Sequence, residues 1–116
     1  MMVATQSNEQ ITASANGTPD TLKINYHNLK KAALVLRALN HKLRQQILKL
    51  LEEQTKLTVT EIYVQLRLEQ SVASQHLAIL RKARLITATK DGQKVYYAVN
   101  YYKVIELHEI TAKFLS

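Results

Sequence analysis

The sequence predicts a mostly α-helical domain with a single β-hairpin before its last helix, and two observations support this fold class. Glycine and proline are scarce, with two and one respectively among 116 residues, so few positions favour the tight turns of a many-stranded β fold. Apolar residues recur at helical spacing along most of the chain, and the period changes to two only near residues 85–99. The expected order of elements is therefore α-α-α-α-β-β-α.

The first 21 residues are rich in small polar side chains and show no apolar period, so they predict a flexible tail ahead of one domain over residues 22–116. Asp20 or Thr21 is the expected cap of a first helix over residues 22–39. Within this helix, AALVLRAL is apolar at seven of eight positions, which indicates burial on more than one side. A second copy of the chain can cover the outer side, so we expect a homodimer.

A second helix, HKLRQQILKLLEE, follows Asn40, which is its expected N-cap. Arg44 is expected to lie off its apolar stripe, which is formed by Leu43, Ile47, Leu50 and Leu51. The tetrapeptide TVTE fits a capping box at the start of a short third helix, because Thr58 and Glu61 can each bond the other's backbone amide. A tight connection over residues 67–69 then leads into a fourth helix.

The fourth helix, predicted over residues 70–82, has two unlike faces. Small or amide side chains recur on the outer face, at Ser71, Ser74, Gln75 and Ala78. Bulky side chains would hold a helix away from base edges, whereas serine and glutamine can donate and accept hydrogen bonds in the major groove. Together with the short helix before it, this segment predicts a helix-turn-helix. The expected inner face consists of Val72, Ala73, Leu77, Ile79, Leu80 and Ala83.

The period changes to two in LITATK and KVYYAV, which are runs of β-branched and aromatic residues. Asp91 and Gly92 between these runs are a strong signal for a β-hairpin, or wing, over residues 85–99. Lys90, Gln93 and Lys94 fall at or near its tip, where they are placed to contact phosphates beside a recognition helix. A last helix, YYKVIELHEITAKFL, closes the chain with a further apolar stripe.

The net charge is strongly positive, at +7 for the whole chain. The first 21 residues include Glu9 and Asp20 but no lysine or arginine, so the remainder holds 16 basic and 7 acidic residues. This balance indicates an anionic partner, and double-stranded DNA fits better than a membrane surface because the chain has no tryptophan and a single phenylalanine. The predicted DNA-binding residues are Gln70, Ser71, Ser74, Gln75, His76, Arg81, Lys90, Gln93 and Lys94.

Three stretches resemble the ArsR/SmtB-type winged helix-turn-helix repressors: ALNHKLRQQILKLL, QSVASQHLAILRKARLI and DGQKVYYAV. The resemblance spans residues 25 to 115 approximately. It implies a winged helix that acts as a sequence-specific transcriptional repressor, and the absence of cysteine is compatible with the expected cytoplasmic location. It also implies a homodimer that binds an imperfect palindrome and is joined through its first and last helices, with interface residues Leu29, Ala33, Leu36, Val104, Leu107 and Phe114.

The sensor positions of that family are not preserved in this chain. Many relatives bind metals through cysteines in the third helix, and this chain has no cysteine. Others use aspartate and histidine early in the last helix and histidine or glutamate later, where this chain has Asn100, Tyr102, Lys113 and Ser116. No metal or other cofactor is therefore expected, and the sequence does not identify an effector.

Several other side chains allow more than one interpretation. His108 with Glu106 and Glu109 is a weak metal candidate, because the two glutamates lie on different faces of a helix. His76 either contacts DNA or is a half-buried ring that bonds to nearby backbone. Ordinary packing explains four tyrosines better than a small-molecule pocket does: Tyr96, Tyr97, Tyr101 and Tyr102.

The chain carries no enzyme signature, because it lacks a glycine-rich phosphate loop, an activated nucleophile and a credible carboxylate pair. No apolar run approaches the ~20 residues of a membrane span. The N-terminus also lacks the basic and apolar segments of a signal peptide. The main alternative to a DNA-binding regulator is a winged-helix module that binds another protein and no DNA.

Overall fold

The computed structural model describes residues 11–13 and 19–116, with side chains from Lys23 onward. The chain forms two compact units that divide between Lys31 and Ala32. The elements are β1 (Ile11–Ala13), β2 (Pro19–Leu22), α1 (Tyr26–Leu39), α2 (Lys42–Gln54), α3 (Val59–Leu66), α4 (Gln70–Lys82), β3 (Ile86–Asp91), β4 (Lys94–Val99) and α5 (Tyr101–Leu115). The predicted fold class, five helices with one hairpin before the last of them, is confirmed.

The N-terminal segment differs from the prediction in two respects. Strands β1 and β2 pair antiparallel where a flexible tail was predicted, and β2 extends to Leu22, the predicted first residue of the first helix. The rest of that tail, residues 1–10 and 14–18, lies outside the described residues. Helix α1 begins at Tyr26, so the expected cap at Asp20 or Thr21 is wrong. The cap is Asn25, whose Oδ1 accepts a hydrogen bond from the amide of Asn28 at 3.0 Å.

A single apolar core joins the helices of residues 32–116 to the base of the hairpin. Helix α2 contributes two residues four apart, and α4 contributes three at spacings of four and three, as one-sided helices should. The connection after α4 and the paired ends of β3 and β4 close the core from the other side. Its buried members are Ala38, Ile47, Leu51, Leu57, Ile62, Ala73, Leu77, Leu80, Leu85, Ile86 and Val99.

Helix α2 corrects two predictions. Its N-cap is His41 and not Asn40, and the His41 Nδ1 accepts a hydrogen bond from the amide of Leu43 at 3.1 Å. Arg44 was expected to lie off the apolar stripe. Its side chain is nevertheless buried, with 8% of its surface exposed, and no other charged residue among residues 23–116 is buried. Its burial is possible because the guanidinium donates hydrogen bonds to the carboxyl end of α1, where helix carbonyls lack partners within their own helix.

The capping box at α3 is confirmed. The Thr58 amide donates to Glu61 Oε1 at 2.8 Å, and the Glu61 amide donates to Thr58 Oγ1 at 3.2 Å. The Thr58 amide and the Thr58 hydroxyl, which donates to Glu61 Oε1 at 3.1 Å, lower the pKa of the Glu61 carboxyl, and the nearby charge of Lys94 lowers it further. The hydrogen bonds favour the charged form, so the box is strongest when Glu61 is ionised.

The hairpin also agrees with the prediction. Strands β3 and β4 pair in register from Ile86 with Val99 to Asp91 with Lys94, which leaves a two-residue loop. Gly92 alone in that loop has a positive φ, at 66°, as a type II′ turn requires. None of the described helices is long and apolar enough to cross a membrane.

Candidate nucleic-acid interface

Helix α4 places its two faces largely as the sequence predicts. Ala73, Leu77 and Leu80 are buried and fix the inner face in the core. The prediction is wrong for one residue of the expected inner face, Ile79, whose side chain is 42% exposed. The outer side is exposed, and its side chains are mostly short, so no described part of the chain blocks its entry into a groove. Its residues are Gln70, Ser71, Ser74, Gln75 and Ala78.

The turn between α3 and α4 sets the angle at which α4 leaves the body. Arg67 adopts the left-handed conformation at φ 56° and ψ 49°, and the amide of Leu68 donates to the carbonyl of Tyr63 at 2.9 Å. This hydrogen bond satisfies a terminal carbonyl of α3 and reverses the chain within three residues. Ile62 of α3 then packs in the same core as the inner face of α4, which gives the helix-turn-helix arrangement.

The cations predicted to bind DNA are exposed, and their side chains make no hydrogen bond or salt bridge among residues 23–116. Arg81 lies in the last turn of α4, while Lys90 and Lys94 flank the tip of the hairpin with Gln93. Within residues 23–116 the single salt bridge joins Lys103 to Glu106 at 3.3 Å in α5. The cations of α4 and the hairpin are therefore available to neutralise phosphates.

An open groove separates the end of α4 from the hairpin. Its lining combines hydroxyl and cationic groups with apolar ones, a composition that suits a sugar-phosphate backbone. The lining residues are Ser74, Leu77, Ala78, Arg81, Lys82 and Tyr97. Of the predicted site residues, the groove thus brings together Ser74 and Arg81 of α4, while Lys90, Gln93 and Lys94 at the hairpin tip do not line it.

The hairpin is tied to the body at its base. Leu57 and Tyr97 exchange two backbone hydrogen bonds, at 3.0 and 2.8 Å, and the Tyr97 side chain packs against the core. On the other face of β4, the Lys56 ammonium lies 4.9 Å from the centre of the Tyr96 ring. Tyr101 and Tyr102 are exposed on α5. Tyr96 and Tyr97 thus help to anchor the wing.

His76 is the predicted site residue whose surroundings differ most from the others. It is half-buried, and the Arg44 Nη1 donates a hydrogen bond to its Nδ1 at 3.2 Å. The His41 ring lies 4.8 Å away, centre to centre. Burial lowers the pKa of His76, and the nearby His41 and Arg44 lower it further. The partner of this ring is therefore a guanidinium and not the backbone group that one interpretation expected.

Arg44 was not among the predicted site residues, although it is buried and bonds directly to His76. The signal that could have found it is weak: a lone arginine adjacent to an apolar stripe and one turn after a helix end. Because its partners lie in two other helices, no local pattern identifies them.

The predicted dimer interface divides into two groups of residues. Leu29 and Leu36 of α1 and Phe114 of α5 are exposed, by 55%, 46% and 85% respectively. Val104 and Leu107, in contrast, are half-buried and pack against the core of their own chain, and Ala33 is half-buried. Further apolar side chains of the two helices are exposed: Leu34, Ile105, Ile110 and Leu115.

The remaining acidic and histidine side chains form no metal-binding group among the described residues. His108 and Glu109 are exposed, and Glu106 is the partner of Lys103.

Residues 41–88 match the family described as bacterial regulatory protein, arsR family. The chain is 36% identical over 94 residues to the transcriptional activator HlyU of Vibrio cholerae, covering 81% of this chain and 86% of that protein. It is 35% identical over 82 residues to the transcriptional repressor PagR of Bacillus anthracis, covering 71% and 82%. The crystal structure of HlyU from Vibrio vulnificus is similar with a TM-score of 0.55 at 39% identity, covering 73% of this chain and 92% of that one.

Proposed function

Because the chain belongs to the ArsR family of bacterial regulatory proteins, we propose that it is a dimeric repressor that binds an imperfect palindrome in double-stranded DNA. The relatives named above are transcriptional regulators and not enzymes. In this proposal α4 reads base edges in the major groove, while the wing contacts the adjacent backbone. A chromosomal target would place the protein in the cytoplasm.

The observation that carries the proposal is the combination of a low, hydrogen-bonding outer face on α4 with exposed cations at the end of that helix and at the tip of the hairpin. Gln75 is exposed in the second turn of that face and has the geometry to bond an adenine through its N6 and N7. Ser71 and Ser74 beside it are short enough to let the helix approach the bases. The wing lysines supply sequence-independent affinity.

The exposed leucines of α1 support the dimeric part of the proposal. Leu29 and Leu36 lie seven residues apart and so share a helix face, and both are exposed although leucine gains roughly 1.5–3 kcal/mol from full burial. A second copy supplies a matching surface by twofold symmetry. Two α4 helices then meet successive major grooves about one DNA turn apart.

The test is a selection of binding sites from random-sequence duplexes, followed by anisotropy titrations of the selected site and of a scrambled one at several salt concentrations. We expect an inverted repeat to be selected, with an affinity for it that falls steeply with salt. Recovery of no enriched sequence and no salt-sensitive binding at micromolar protein would overturn the proposal and leave the protein-binding module as the better interpretation.

Transcription in vitro from a promoter that carries the selected site tests the repressor role. We expect the protein to lower the transcript yield in proportion to site occupancy. The relative from Vibrio cholerae is named as an activator, and it supports activation as the second candidate. A rise in transcript yield on binding would establish that second candidate and contradict repression.

A further inference from the structure

We infer that Arg44 is a positioning residue which sets the spacing between the two DNA half-sites that the dimer accepts. The inference rests on the proposed function, since it requires two α4 helices bound to one palindrome. It concerns the orientation of α4 and not the bases that α4 reads.

The side chain of Arg44, in α2, forms hydrogen bonds with both α1 and α4. From α2, its Nε donates to the carbonyl of Ala38 at 2.7 Å, and its Nη2 donates to the carbonyl of Arg37 at 3.1 Å. Its Nη1 donates to His76 Nδ1 in the middle of α4, at 3.2 Å. The planar guanidinium fixes these three donors in one fork, so a shift of α4 relative to the end of α1 must break at least one hydrogen bond.

No other hydrogen bond joins α4 to another helix among residues 23–116. The inner face of α4 is otherwise held by apolar packing of Ala73, Leu77 and Leu80. Apolar contacts resist separation, but they are not directional and tolerate small rotations about the helix axis. Among residues 23–116, the bond from Arg44 to His76 is therefore the one hydrogen bond from another helix that adds a directional restraint on α4 to that of the α3–α4 turn.

The neighbouring histidines support this restraint through their tautomers. A guanidinium can only donate, so His76 must accept at Nδ1 and carry its proton on Nε2. His41 likewise accepts at Nδ1, from the amide of Leu43. The His76 ring is uncharged when it accepts from the guanidinium, so this hydrogen bond places no second positive charge against Arg44.

The consequence for DNA follows from the two helices that Arg44 joins, α1 and α4. If α1 lies at the dimer interface, Arg44 connects that interface to the reading helix in each protomer. The distance and angle between the two α4 helices then depend on this connection. One added base pair moves a half-site by about 3.4 Å and rotates it by about 35°, so a stiff linkage discriminates between spacings.

The experiment uses duplexes that carry the selected half-sites at the selected spacing and at spacings one or two base pairs shorter and longer. Four proteins are compared: the unaltered chain, Arg44→Lys, His76→Leu and His76→Asn. The lysine keeps the buried charge but loses the fork. The asparagine Oδ1 stands near the histidine Nδ1 and can accept from Arg44, whereas leucine cannot.

We expect the unaltered chain and His76→Asn to lose about tenfold in affinity for each base pair of altered spacing, and Arg44→Lys and His76→Leu to lose about threefold or less. The base preferences within a half-site, measured by a repeated selection, should stay the same for Arg44→Lys. Arg44 is buried and cannot contact a base itself, so a change in spacing preference without a change in base preference is specific to positioning.

If Arg44→Lys and His76→Leu bind more weakly than the unaltered chain by the same factor at every spacing, their dependence on spacing is unchanged. That result would overturn the inference and reduce Arg44 to a stabilising residue. Far-UV circular dichroism and the dimer mass confirm that each variant is folded before the titrations. If Arg44→Lys fails this check, the contrast between His76→Leu and His76→Asn decides the matter alone. Failure of the unaltered chain to select any inverted repeat would instead contradict the proposed function.

Discussion

Helices α1 and α4 present opposite chemistry on their outer faces. Helix α4 buries three residues completely or nearly so and exposes serines and glutamines, which lose nothing by facing water. Helix α1 buries only Ala38 and exposes Leu29, Leu34 and Leu36. The polar face can remain wet until DNA displaces the water, whereas the apolar face is costly until another protein surface covers it. The difference indicates which class of partner each helix meets.

Leu36→Glu is the sharpest test of the apolar side. In a symmetric dimer the change places like charges in one interface, so we expect monomers and a loss of roughly 100-fold or more in affinity for the palindrome. Sedimentation gives the mass and anisotropy gives the affinity. Val64→Glu, at an exposed valine of α3, is the matched control and should leave the mass unchanged. If the unaltered chain is itself monomeric, the exposed leucines of α1 do not form a dimer interface and the contrast with α4 fails.

Arg44→Met tests the residue that joins the two helices. The change leaves the Ala38 carbonyl and the His76 ring without their donor, so we expect the free energy of unfolding to fall by roughly 3 kcal/mol. Urea titration measures it. Lys49→Met on the exposed side of the same helix is the control, with an expected change within about 0.5 kcal/mol. Similar values for both variants would show that the buried fork contributes nothing.

Gln75→Ala tests the polar side. Loss of its bidentate hydrogen bond should weaken binding to the selected site by roughly 1–3 kcal/mol and relax the preference at one base pair of each half-site. Binding to random DNA should hardly change. Gln46→Ala, at an exposed glutamine of α2, is the control. Equal losses on selected and random duplexes would contradict a base-reading role for Gln75.

Lys94→Gln tests the wing. Because a phosphate contact carries no sequence information, the loss should be similar on all duplexes, and the slope of log affinity against log salt should shrink by about one. The control is Lys113→Gln near the end of α5, which should leave the slope intact. An unchanged slope for Lys94→Gln would remove this lysine from the interface.

The pH dependence of folding tests the cluster around His76. Burial, His41 and Arg44 lower the pKa of His76 in the folded chain, so the unfolded chain binds the proton first as the pH falls. The free energy of unfolding should therefore decrease as the pH is lowered through about 6.5, and this decrease should be smaller in His76→Asn. Urea titrations at several pH values measure it, with His108→Asn as the exposed control. Identical profiles for all three proteins would contradict the assignment.

Much of the fold was predictable because it depends on neighbours in the sequence. The bounds of α4 and α5, the capping box of Thr58 and Glu61, and the turn at Gly92 all follow from local periodicity or from hydrogen bonds three residues apart. The outer face of α4 was predictable for the same reason, since helical spacing alone puts its serines and Gln75 together.

Other features depended on distant partners and were missed. The sequence pattern put Ile79 inside and Arg44 outside, and the folded chain reverses both. Val104 and Leu107 share a helix with exposed apolar residues, and only the packed core shows that they turn inward. The cap of α2 moved by one residue to His41, next to the ring of His76.

The sequence by itself determined the order of elements, the hairpin turn and the polar reading face, because each is encoded within one or two turns of chain. Only the tertiary structure decided what holds that face in place. Arg44 and His76 lie 32 residues apart, and their hydrogen bond exists because α1, α2 and α4 converge on one buried guanidinium. A charge can be buried at that point since the carbonyls of α1 and the ring of α4 supply the acceptors that water would otherwise provide.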